Sequence, residues 1–141
     1  MNSSWVVYAL LSAVFAALVA IFGKLGVSKL DSTVATMIRA IVMTVFFVVV
    51  VSMMGKIHLI KTFDKRALLF VFLAGLAGAF SWLFYFRALQ VGPVNGVAAL
   101  DRLSVVFVFV FSLLFLGDQF TWRVGLGAVI LSIGAILMSL K

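Results

Sequence analysis

Five long apolar runs, separated by short polar breaks, account for nearly the whole chain: residues 5–22, 33–53, 67–89, 94–116 and 122–140. A hydrocarbon core about 30 Å thick takes roughly 20 helical residues to cross, and each run is close to that length. None shows the sustained apolar/polar alternation of a barrel strand, and a helix satisfies its own backbone hydrogen bonds in lipid. The pattern predicts an all-α polytopic membrane protein, a bundle of five transmembrane helices forming a single domain over residues 1–141. The breaks are short. Residues 24–32 form the first, the longer and basic 55–66 the second, Gly92 and Pro93 a tight turn, and 117–121 the last. Pro93 cannot continue the helix before it, and Gly92 is expected to end that helix in the left-handed region. Spans three and four should then be antiparallel neighbours.

Composition strengthens this reading. Hydrophobic residues make up 66% of the chain, mean hydropathy is +1.35 and there are only four acids, too few polar groups for a water-facing surface. A multi-pass protein of the cell (inner or plasma) membrane follows. The first run is not expected to be a cleaved signal, because residues 1–4 carry no Lys or Arg and no polar cleavage region precedes Gly23 and Lys24. The lack of cysteine excludes disulfides and thiolate metal sites, and the single histidine, His58, reads as an interface residue in a polar loop. No nucleotide-binding loop, His cluster or Ser/His/Asp arrangement is present, so neither an enzyme nor a cofactor or metal site is expected. The net charge of +7 is scattered among short membrane loops, which suits lipid headgroups and not nucleic acid.

Charge also bears on orientation. The side holding the amino terminus receives five basic residues (Lys56, Lys61, Lys65, Arg66, Arg123) and the opposite side six (Lys24, Lys29, Arg39, Arg87, Arg102, Lys141). Arg39, Arg87 and Arg102 fall inside helices, and leaving them out gives five against three. The bias is weak either way, so one orientation and dual insertion both stay open.

The three intramembrane arginines and Asp101 are the most informative polar residues. Arg39 lies about 9 Å along span two, Asp101 and Arg102 are similarly deep in span four, and Arg87 is near the end of span three. Charges in a bilayer tend to face a cavity or each other. One reading is a substrate vestibule whose surplus positive charge draws an anionic group. The other is an Asp101 ion pair that ties helices together while the remaining arginines snorkel to headgroups. Trp82 and Tyr85, in a dense aromatic stretch beside Arg87, could line a cavity or pack between helices. Gln90 and Asn95 read as caps. Small residues at helical spacing, such as Ala74 with Gly78 and Gly75 with Ala79, permit close helix contact, and the glycines of the fifth span suit a dimer surface.

Residues 84–93 (Phe-Tyr-Phe-Arg-Ala-Leu-Gln-Val-Gly-Pro), then Val97 to Leu100, Leu103 and Ser104, and finally Phe115 to Asp118 with Gly127 and Gly134, resemble the EamA repeat of the drug/metabolite transporter superfamily. Arg39 matches a basic position in the repeat's second helix. Val105 replaces a frequent proline, which implies a straighter fourth helix, and Asp118-Gln119 replaces the usual Glu and basic pair. The membrane-embedded glutamate of many small multidrug antiporters has no counterpart, so proton coupling would fall to Asp101. Members usually carry two inverted repeats around a substrate path, and this chain resembles one. The resemblance implies a secondary transporter that moves a small metabolite or drug-like solute by alternating access as a homodimer, antiparallel if the chain inserts both ways. The candidate path is Arg39, Trp82, Tyr85, Arg87, Asp101 and Arg102. A lipid or lipid-linked sugar flippase and a non-transporting subunit or scaffold are the alternatives.

Overall fold

The computed structural model describes residues 4–140, with only the backbone of Lys61, so the counted charge of Lys141 lies outside the described residues. The described residues form six α-helices: α1 (Ser4–Val27), α2 (Ser32–Met53), α3 (Lys65–Val91), α4 (Val94–Asp101), α5 (Ser104–Phe111) and α6 (Trp122–Ser139). A 3₁₀ helix, Ile57–Thr62, follows α2, and one π-helical turn, Ser112–Leu116, extends α5. Because α4, α5 and the π turn make a single apolar stretch, five segments among the described residues are long and apolar enough to cross a membrane. The described residues contain no strand. Helix ends differ from expectation in one consequential way: Lys24, Lys65 and Arg66 belong to helices, not loops.

Local chemistry explains where helices begin. The Asp31 carboxylate accepts the amides of Thr33 at 2.8 Å and Val34 at 3.2 Å, satisfying donors that the first turn of α2 leaves unpaired. Asp64 does the same for α3 through the Ala67 amide at 3.3 Å. The Val34 and Thr33 amides hold the Asp31 carboxyl below its ordinary value of 3.8, with a smaller pull from the Arg87 charge. The folded state therefore binds this proton less tightly than the unfolded chain. The resulting stability is fully present above pH 3.8 and is lost as pH falls through the lowered folded-state value. Asp31→Asn, which keeps a capping oxygen but not the charge, should flatten the acid limb of stability below pH 5, read by acid unfolding in detergent.

Helix endings use glycine where the backbone turns left-handed. Gly55 has φ 65° and Gly117 φ 70°. At Gly117 the amides of Gly117 and Asp118 both donate to the Ser112 carbonyl, closing the π turn. Gly117→Val should cost about 1–2 kcal/mol, because a Cβ is penalised in this region, and thermal unfolding in detergent measures it. Gly92, expected to be left-handed, is not. Its turn is shaped by Pro93 at φ −72°, ψ 139°, and the Gly92 carbonyl accepts the Lys24 ammonium at 2.8 Å.

The fourth span is interrupted without a proline. Amides of Arg102, Leu103 and Val105 donate to the third residue before them (Ala99, Leu100 and Arg102), a local 3₁₀ tightening between α4 and α5. Valine at 105 therefore does not give an unbroken helix.

The chain forms two compact units, residues 1–24 with 91–141, and residues 25–90. In the first, α4 and α6 meet backbone to backbone. A Cβ at Gly96 would lie 3.3 Å from Pro93 Cγ and 3.4 Å from Ser139 Cα, and Ala99 and Ala135, a turn further along each helix, are buried. The Phe120 ring sits where a Gly125 Cβ would project, 3.2 Å away, so that glycine of the last span serves the monomer, while Gly127 and Gly134 face open space. In the second unit Ser32, Ala35, Phe86 and Leu89 are buried. Hydroxyls within the spans are satisfied by their own helices: Thr36 donates to the Ser32 carbonyl, Thr44 to Ala40, Ser52 to Val48 and Ser132 to Ala128. Most large apolar side chains remain on the outside, as a lipid-facing surface requires.

Candidate functional site

The second unit holds a groove of about 720 Å³ between α2 and α3. From α2 come Thr33, Thr36, Arg39, Met43 and Phe47; from α3 come Gly75, Gly78, Ala79 and Trp82. The small residues of α3, expected to draw helices together, instead form a low wall. A Cβ at Gly75 or Gly78 would meet nothing within 4 Å. Small side chains permit close approach, but they equally leave space when the facing residues are long, and here Met43, Phe47 and Arg39 hold the groove open.

Among the described residues, Arg39 is the only charged one lining this groove. Its guanidinium carbon lies 3.4 Å from the centre of the Trp82 ring and 5.7 Å from that of Phe86. Stacking on an indole face offsets part of the cost of keeping a cation in lipid. Trp82 is held in turn by Tyr85, edge to face at 5.4 Å, and by Phe86 at 5.9 Å. Among the described residues the guanidinium meets ring faces and no carboxylate. A guanidinium stacked through its face keeps its in-plane N–H edges available for an acceptor.

Arg87 belongs to a separate cluster in the same unit. Its Nη1 donates to Gln90 Oε1 at 2.8 Å, and Gln90 Nε2 donates to the Leu30 carbonyl at 3.4 Å, beside the Asp31 cap. Gln90 thus joins Arg87 to the loop before α2 and does not act as a helix cap. The Arg87 side chain is exposed and is spent on this end of the unit. Asn95, the other expected cap, makes no cap, since Pro93 occupies that position of α4 without a side-chain bond.

Asp101 and Arg102 lie in the first unit, both exposed, at the last residue of α4 and at the 3₁₀ tightening. Of the six candidates, the structure brings Arg39, Trp82 and Tyr85 together; Arg87 stands apart with Gln90, and the acid and its neighbour sit at a helix junction. Sequence reasoning missed Met43, Phe47, Gly75 and Gly78 as groove residues. The spacing of the two glycines from Trp82 on one helix was the signal available.

The helices α2 and α3 thus hold a polar group in an apolar groove of a chain with five segments apolar enough to cross a membrane among the described residues, and comparison with known proteins gives its class. The chain belongs to the EamA-like transporter family, whose pattern matches residues 3–140. It is therefore a multi-pass membrane transporter of the drug/metabolite superfamily. It is 42% identical over 139 residues to the "Uncharacterized transporter in cobO 3'region" of Sinorhizobium sp, covering 99% of each chain. It is 33% identical over 113 residues to the human protein named "Solute carrier family 35 member G1", covering 79% of this chain but 30% of the human one. No solved structure matches it significantly.

Proposed function

We propose that the protein is a secondary transporter in the cell membrane that moves a small metabolite or drug-like solute by alternating access as an antiparallel homodimer. The observation that carries this reading is a single guanidinium stacked on an indole in a roomy intramembrane groove, a cost in lipid that a passing ligand would justify. The reading treats residues 1–141 as one domain. Two copies would supply two grooves, each with Arg39, Trp82 and Tyr85 on the path. Dimerisation is supported by the odd number of spans, which would place consecutive copies in opposite senses. Arg39→Gln should reduce uptake at least tenfold, roughly, in correctly assembled protein. The apolar walls of the groove favour a second reading, a flippase for amphipathic lipids, with membrane lipids then as substrate and not only surroundings.

Orientation is the direct test. Reporters active only inside or only outside the cell, fused to the carboxyl terminus, should both give signal. Signal from one side alone would remove the antiparallel arrangement.

A further inference from the structure

Resting on that transport reading, we infer the class of ligand: the groove between α2 and α3 takes an amphipathic monoanion, an apolar or aromatic body bearing one carboxylate, sulfonate or similar single negative charge. Three observations converge. The lining side chains are apolar apart from Arg39, the hydroxyls of Thr33, Thr36 and Thr44, and the indole N–H of Trp82, a further donor and not an acceptor. The hydroxyl protons of Thr36 and Thr44 are committed to the carbonyls of Ser32 and Ala40, leaving only weak acceptor capacity there. The Arg39 guanidinium, covered on its face by Trp82 and in contact with no carboxylate among the described residues, offers charged donors at its edge.

This donor and acceptor inventory discriminates. A sugar or other polyol would leave its hydroxyls unpaired against Met43, Phe47 and Leu76, which costs more than the contact returns. A cation would face Arg39 with no acid beside it. A neutral apolar body fits the walls but leaves the guanidinium edge unused, whereas a single anion makes a charge-assisted, bidentate pair there. At about 720 Å³ the space admits a body of one or two aromatic rings. A free organic anion and an anionic lipid share this chemistry.

The test uses the full chain with Trp5 and Trp122 replaced by Phe, so that Trp82 is the sole tryptophan, in phosphatidylcholine vesicles. The probe is p-toluenesulfonate, permanently ionised, compared with p-toluenesulfonamide, benzylamine and gluconate. The expected result is saturable change of Trp82 fluorescence and vesicle uptake with the sulfonate alone, weakened at least tenfold, roughly, by Arg39→Gln and partly restored by Arg39→Lys. Gly78→Leu, which meets open space in the monomer, should fill the groove and block binding without unfolding the protein. Displacement of the sulfonate by added phosphatidylglycerol would identify lipid as the source of the anion; indifference to it would identify a free solute. Equal binding of the sulfonamide, binding of benzylamine or gluconate in its place, or unchanged affinity in Arg39→Gln would overturn the ligand class. Uptake of those other compounds would do so while leaving transport standing. Sulfonate binding without uptake of any probe would leave the ligand class standing and remove transport, and absence of sulfonate binding and uptake would overturn the class.

Discussion

Replacing Gly96 with leucine is expected to destabilise the protein by about 3 kcal/mol, near the upper end of what overpacking usually costs. The reason is the α4–α6 seam. A Cβ at residue 96 already meets Pro93 Cγ at 3.3 Å and the Ser139 Cα at 3.4 Å, and the second of these is backbone that cannot rotate aside. Leucine would add three further carbons beyond that point, so α6 must move away from α4. The separation would also strip contact from the buried Ala99 and Ala135, and in lipid such packing contacts are what hold helices together. Alanine is the informative control. It adds only the Cβ, requires the neighbours to yield by a few tenths of an ångström, and gains roughly 1 kcal/mol of helix propensity over glycine, so the terms nearly offset. Thermal unfolding in detergent should place Gly96→Ala close to the unmodified protein and Gly96→Leu far below it. Equal stability of the two variants would show that the seam is not closed.

The second large effect is one of orientation. With an odd number of spans the two termini lie on opposite sides of the membrane, so lysines added at one end oppose lysines added at the other. Three lysines appended after Lys141 should hold the carboxyl end inside. Asn2, Ser3 and Ser4 replaced by lysine should hold the amino end inside. Each modification is strong against a native bias that is itself slight. Under the antiparallel proposal each variant alone should lose transport, to below about a tenth, and co-expression of the two should restore it, since only then are both orientations present. Full transport by either variant alone, with its reporters showing one orientation, would exclude an obligatory antiparallel pair.

The spans were legible because a bilayer imposes length and apolarity directly, and all five apolar runs recur as helical segments long and apolar enough to cross a membrane. What was illegible is local. Where α1 extends past Lys24, its ammonium meets the Gly92 carbonyl across 68 residues of sequence, a contact that no short-range pattern announces. The 3₁₀ tightening at Arg102 occurs without the proline that would have signalled it. In the site, Arg39 and Trp82 were both candidates, yet their contact depends on the relative rotation of α2 and α3, and helical spacing within one element says nothing about rotation between two. The glycines of α3 were ambiguous in a physical sense, since a missing side chain serves contact and cavity equally well. Arg87 and Gln90 are three residues apart on one helix, a spacing at which side chains meet, so their contact is legible in the sequence, although Gln90 by itself reads as a cap and Arg87 as a path residue.

Lys24 has two working lives separated in time. While the chain is being inserted, its charge counts among the signals that decide which way the first helix faces. Once folded, the same ammonium is engaged with the carbonyl of Gly92 and fastens α1 to the turn before α4. Evolution therefore cannot adjust orientation at this position without loosening a joint, and drift in topology among descendants of such a chain should be written at Lys29 and in the loop after α2 before it is written here.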